Sequence, residues 1–191
     1  MIHSPSRLHP SISQAAERIG ERAANLFSTR QLWCSGAVLV VLNQALGGDL
    51  SQETAIRLAA GLGDGMGGSG CLCGGLNGGA LALGLFLGSG RLAPGGDRKV
   101  LETTHALHNQ FKTAFGSTCC RVLSRRDAEP GAESHSRACT LRTAKAAELT
   151  AALILDQRPD LLEDIDWPYL NHKDGPIGAR MKIVANRLLN S

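Results

Sequence analysis

Thirteen of the chain's 23 glycines fall between residues 61 and 90, and no other feature narrows the fold as much. Glycine reaches positive φ without steric cost and weakens an ordinary helix or strand interior. A run this dense marks a loop of left-handed turns, or a place where backbones touch. The flanking sequence shows which kind of structure it interrupts. Ile12, Ala15, Ala16, Ile19, Ala23, Leu26 and Phe27 recur at three and four residues, which predicts an amphipathic helix over residues 13–28. Residues 32–46 are more evenly apolar, as a central buried helix would be. Ser51 as N-cap, with Glu53 in the first turn, opens a third helix to residue 60. The glycine loop occupies 61–70. Helices over 73–87 and 97–115 follow, then a short helix after Ser117, a polar loop over 125–137 and a helix over 139–156. Residues 157–176 hold Pro159, Pro168 and Pro176 and read as an irregular arm before a last helix over 179–189. No alternating Val/Ile-rich strand set is present. The expectation is an all-α, compact helical bundle whose glycine loop leads into a central helix. A domain over 1–156 would carry a C-terminal extension, 157–191, packed on it.

Composition removes several function classes. With 43% hydrophobic and 19% charged residues, the chain is not a highly charged disordered one. Its net charge of +3 and its 4% aromatic content give no basic, aromatic-interleaved surface for nucleic acid. The apolar stretches 32–46 and 80–87 fall short of the ~20 residues a bilayer requires, so no membrane span is expected. The polar first thirteen residues lack the apolar run of a signal peptide. The expected location is cytoplasmic, where cysteines more often bind metal or do redox chemistry than form lasting disulfides.

The loop satisfies G-x-G-x-x-G by letter in Gly63-Asp64-Gly65-Met66-Gly67-Gly68. A dinucleotide site needs a strand before these glycines, and residues 54–60 read as helix. No Lys-Ser/Thr pair follows, so the loop is no P-loop either. The bland reading is a tight turn of positive φ angles. The sharper one is a concavity of backbone N–H groups, from Gly65, Gly67, Gly70 and Gly74, that favours an anion such as a thiolate or a metal–sulfur cluster.

Six cysteines accompany the loop, and most sit where a helix is expected to begin: Cys34, Cys71 or Cys73, Cys119 or Cys120, and Cys139. Unsatisfied N–H groups at helix starts favour the thiolate, the form that ligates metals and attacks disulfides. Against this stands the ordinary burial of free cysteine as a small hydrophobe. No C-x-x-C pair of the zinc-ribbon or ferredoxin kind is present. On spacing alone the cysteines point to a thiol or metal site without choosing between them.

The order of these elements resembles the redox-active family named for its cysteines, C_GCAxxG_C_C. Trp33-Cys34-Ser35-Gly36-Ala37-Val38-Leu39 is similar to its first element, residues 58–67 to its loop, and Cys73-Gly74-Gly75-Leu76-Asn77-Gly78 to its central motif. Cys120-Arg121-Val122-Leu123 and Cys139 resemble the third and fourth. Gly75 stands where the motif has alanine, and Cys71 and Cys119 are additional thiols. The family register selects Cys34, Cys73, Cys120 and Cys139 as metal ligands. The resemblance implies a redox or electron-transfer role with an iron–sulfur cluster, in the neighbourhood of a partner oxidoreductase. A homodimer sharing the centre across its interface is compatible with the same residues. Two alternatives remain open: a metal-free thiol–disulfide protein, and a structural zinc or interaction module.

Other candidates carry less. His105 and His108 stand three apart on one helix without acidic partners at helical spacing and read as flank residues. Glu163, Asp164 and Asp166 read as a solvated surface, with Trp167 and Tyr169 beside them to anchor the arm. No nucleophile elbow or H-E-x-x-H is present, so nothing assigns the chain to an enzyme class.

Overall fold

A computed structural model describes residues 11–91, 97–131 and 133–189. The first ten residues of the polar N-terminal stretch and residue 132 of the polar loop lie outside the described residues. The described chain is helical, with α1 (Ile12–Ser28), α2 (Cys34–Ala45), α3 (Gln52–Ala59), a single turn α4 (Gly63–Met66), α5 (Gly74–Leu87), α6 (Arg98–Phe115), α7 (Cys120–Arg126), α8 (His135–Gln157), α9 (Trp167–Asn171) and α10 (Pro176–Leu189). The all-α expectation holds.

Local chemistry explains the starts. Ser11 caps α1 through a full capping box with Gln14. Ser51 caps α3 by accepting from the Thr54 N–H at 3.1 Å. α2 is buried over nearly its whole length, from Ser35 to Asn43, as its uniform hydropathy demands. α1 packs along α8, and α2 and α5 fill the space between them and α6. Ile19, Leu39, Leu42, Leu83, Leu107, Phe111, Ile154 and Leu155 are fully or almost fully buried there.

Small residues let the helices approach. A Cβ at Gly78 would strike the Ser35 carbonyl, and one at Gly79 the Thr150 hydroxyl. Gly75, Gly78 and Gly79 are thus contact points between α5 and its neighbours α2, α6 and α8. No helix of the described residues is long and apolar enough to cross a membrane.

The arm returns to the bundle. Ile165 and Leu170 join the main core, and the Asp166 N–H donates to the Ala45 carbonyl at 3.1 Å. The Arg22 guanidinium, 5% exposed, donates to the buried Asp174 carboxylate at 2.9 Å. Asp166 also caps α9, accepting from the Tyr169 N–H at 2.9 Å, while Glu163 and Asp164 face solvent.

Candidate metal centre

Four separate elements deliver the cysteines. Cys34 is the first residue of α2, behind Trp33 as N-cap. Cys73 is the N-cap of α5. Cys119 is the N-cap of α7 and Cys120 its first residue, so the short helix expected after Ser117 starts three residues on; the Ser117 hydroxyl accepts from the Cys119 N–H at 3.2 Å. Cys139 departs further. α8 begins at His135, so Cys139 lies one turn inside the helix and does not open it. The added turn of His135, Ser136 and Arg137 is exposed, and a solvated polar turn looks like loop in a sequence.

A short antiparallel clip joins two of these elements. The Cys73 N–H donates to the Thr118 carbonyl at 2.8 Å, the Cys120 N–H to Cys71 at 2.6 Å, and the Arg121 N–H to Gly70 at 3.0 Å. Leu72 then pairs with Cys119 across the clip. The glycine loop is shaped to feed it. Asp64, Gly65, Met66 and Gly67 take left-handed φ angles of 51°, 68°, 66° and 61°, and Gly70 follows at 71°. For Asp64 and Met66 this costs about 1–2 kcal/mol each, the kind of strain that collects at functional sites.

The result is a cavity of about 60 Å³ lined by Cys34, Cys73, Cys120 and Cys139. Cys71 and Cys119 do not line it, and Cys71 faces solvent. Phe27, Trp33, Asp64, Gly74, His135, Arg142 and Thr143 complete its wall. The volume admits a few waters; it is too small for a dinucleotide or flavin and suited to an inorganic group.

The four loop glycines divide. Gly74 lines the cavity, and a Cβ there would fall on the Cys34 sulfur. A Cβ at Gly65 would come within 2.7 Å of the Cys120 Cβ. The Gly67 N–H donates to the Gly63 carbonyl at 2.9 Å, and the Gly70 carbonyl accepts from the Cys119 thiol at 3.3 Å. The backbone donors on Cys73 are the N–H groups of Gly75 and Leu76 in the first turn of α5.

Acidity corrects the expectation of thiolates at helix starts. Burial pushes the Cys73 thiol up to about 12, helped by the nearby Cys34 and only partly offset by the Gly75 and Leu76 donors. Burial likewise pushes Cys139 up to about 11, with the Arg142 guanidinium pulling the other way. Cys120 is also raised by burial, against a hydrogen bond from Ser124. Desolvation outweighs the helix-end field, so these three sulfurs are neutral thiols in the metal-free protein. A bound cation reverses that balance, because a coordinating thiol loses its proton outright.

The surroundings anticipate such a charge. Arg142 donates to Asp127 at 2.7 and 2.5 Å, and this ion pair is 10% and 5% exposed. The guanidinium holds the Asp127 carboxyl below the usual carboxylate range. Arg142 Nε is buried without a hydrogen-bond partner, on a side chain that works to lower the Cys139 thiol. A thiolate at Cys139 would sit beside this unspent donor.

Sequence reasoning missed Asp127, His135 and Arg142. Their signal is the four-residue spacing of His135 and Cys139, visible only once α8 is known to start at His135. His105 and His108 stand apart from the cavity; His108 meets Thr118 at 3.2 Å.

Residues 32–153 match a family described as putative redox-active protein (C_GCAxxG_C_C). The chain belongs to this family. The C_GCAxxG_C_C match opens two residues before Cys34 and closes beyond Cys139, so it takes in all four cavity cysteines. It stops short of α9 and α10. No curated protein and no solved structure matches the chain.

Proposed function

We propose that this protein carries electrons through an iron–sulfur cluster ligated by Cys34, Cys73, Cys120 and Cys139, exchanging them with a partner oxidoreductase. The observation that carries this reading is the convergence of four thiols, drawn from four elements, on one small cavity. Membership of a redox-active family agrees with it.

Two features weigh against the alternatives. A single tetrahedral zinc with Zn–S bonds of about 2.3 Å needs its sulfurs about 3.8 Å apart. Among the described residues, the group of three potential ligand atoms lying within 4.8 Å of one another is Asp127, His135 and Cys139, so the four cysteine sulfurs do not form one such compact group. Metal-free exchange with Cys73 or Cys139 as the attacking thiol is disfavoured by burial, since a thiol raised to about 12 or about 11 supplies almost no nucleophile at neutral pH; the other thiols open to it, Cys71 and Cys119, stand outside the cavity.

The chain's own residues have defined tasks at such a centre. The N–H groups of Gly75 and Leu76 stabilise charge on the Cys73 sulfur, and donors of this kind tune cluster potential. Arg142 offsets part of the negative charge of the thiolates. Phe27 gives the wall an apolar face, while Trp33, 65% exposed, both lines the cavity and meets solvent. A partner docking over Trp33 would come within one side chain of the centre.

Anaerobic purification followed by iron, sulfide and zinc analysis with a visible spectrum tests the reading. Iron with acid-labile sulfide is expected, lost in Cys73→Ser and retained in Cys71→Ser. A colourless, iron-free protein that resists reconstitution overturns it, as does a Cys73→Ser variant holding as much iron as wild type.

A further inference from the structure

We propose that His135 is a fifth protein ligand of the cysteine centre, binding metal through Nε2 at the corner held by Cys139, with Asp127 fixing its ring. The inference rests on the reading that the cavity holds metal, and it adds a nitrogen to a ligand set that the sequence motif assigns to sulfur alone.

Three geometric facts carry it. His135 and Cys139 are four residues apart on α8, so both side chains leave the same helix face, and both line the cavity. His135 Nε2 lies 3.6 Å from the Cys139 sulfur. A tetrahedral ion with metal–nitrogen and metal–sulfur bonds of about 2.05 and 2.3 Å spaces those two atoms by about 3.6 Å. The separation already matches one edge of a coordination tetrahedron, but Nδ1 lies 3.9 Å from the same sulfur, which therefore stands over the ring, and a tilt of the imidazole brings Nε2 to face a shared ion.

The ring's orientation is set from behind. His135 Nδ1 lies 2.9 Å from Asp127 Oδ2. A carboxylate only accepts, so Nδ1 carries the proton and donates it. In the neutral ring Nε2 then carries the free lone pair, on the side chain that stands against Cys139. Metal-bound histidines almost always give their other N–H to a carboxylate or carbonyl in this way.

Asp127 satisfies the same distance criterion but is assigned a different role. Both of its oxygens already accept from Arg142, so ligation would break a largely buried ion pair. It is a positioning residue. In the metal-free protein the Cys139 thiol lies against the ring, 3.6 Å from Nε2; on loading, the metal would come between them and the thiol proton leaves to solvent. Imidazole and thiolate together suit iron or zinc.

X-ray absorption at the metal edge of the anaerobically purified full chain tests this, because imidazole gives outer-ring scattering that sulfur ligands lack. That scattering is expected in wild type and absent in His135→Ala. Because His135 is more than half exposed (54%), its replacement leaves the core untouched, and circular dichroism verifies the fold. Metal retention against a chelator should fall ~10- to 100-fold in His135→Ala, and less in Asp127→Asn, which keeps the nitrogen scattering. Metal bound by sulfur alone in wild type overturns the inference and leaves the four-cysteine reading intact. A zinc centre with imidazole scattering upholds the inference and removes the cluster, whereas a chain that binds no metal overturns both.

Discussion

Gly74 shows how much of the centre depends on what a residue lacks. Its missing side chain leaves the Cys34 sulfur its place, since a Cβ built there would overlap that atom. Gly74→Ala should therefore displace Cys34 while sparing the helices, which alanine favours. A loss of about 1–3 kcal/mol is expected from overpacking, read by urea denaturation, together with loss of bound metal. Retention of both metal and stability would mean that Cys34 has freedom the packing denies it. The identity of the four cavity cysteines is readable in the sequence, because a motif register separates Cys73 from Cys71 and Cys120 from Cys119. Their acidity is not. Helix-start position argues for a lowered thiol pKa, whereas burial raises Cys73 and Cys139; burial depends on α1, α2 and α8 closing over the site, which no local pattern encodes.

At the scale of elements, α9 shows a polar group buried without reward. The Tyr169 ring lies under the Arg22 guanidinium, 4.9 Å from its carbon, but the Tyr169 hydroxyl is buried with no hydrogen-bond partner. Tyr169→Phe keeps the ring and removes the orphan, so stability near neutral pH should be unchanged or higher by up to about 1 kcal/mol. Burial pushes the phenol up to about 12 from its ordinary 10. The folded state thus holds this proton longer than the unfolded chain does. Wild type should keep its full stability below pH ~10 and lose it as pH rises toward ~12, and Tyr169→Phe should lose less over that range. Parallel denaturation curves at neutral and alkaline pH check both signs; a large loss at neutral pH would reveal a partner for the hydroxyl. Most helices are legible in the sequence at this scale, since α1, α2, α3, α5 and α6 follow hydrophobic period and cap signals. α9 is one exception, a short helix inside the 157–176 stretch that reads as an irregular arm, and α8 is another. Its first turn has no apolar residue before Ala138, so periodicity starts it at Cys139 and hides the His135–Cys139 face.

Over the whole molecule, stability should be unevenly shared between the bundle and the centre. α1, α2 and α8 are held by a continuous apolar core. α7 has only Leu123 fully buried, and its other ties are polar: the clip to residues 70–73, the Arg121 bond to the Ser69 carbonyl, the Arg126 bond to the Phe115 carbonyl, and the Arg142 bonds from α8 to the Leu123 carbonyl and to Asp127 at its end. A centre ligated from α2, α5, α7 and α8 would bind this loosely packed unit to the rigid one. Metal binding only the folded state adds RT ln(1 + [L]/Kd), about 2.7 kcal/mol at a hundredfold excess over Kd. Part of that gain should appear locally, because segments with few buried contacts open before the global transition. Hydrogen exchange on metal-loaded and metal-free protein is expected to differ most over residues 63–73 and 118–127, and least in the middle of α2 and α8. Cys120→Ser should exchange there like metal-free protein whether or not metal is added. Slowing spread evenly along the chain, or confined to α10, would place the metal's attachment elsewhere, because a centre in this cavity has α7 and the glycine loop as its least anchored wall.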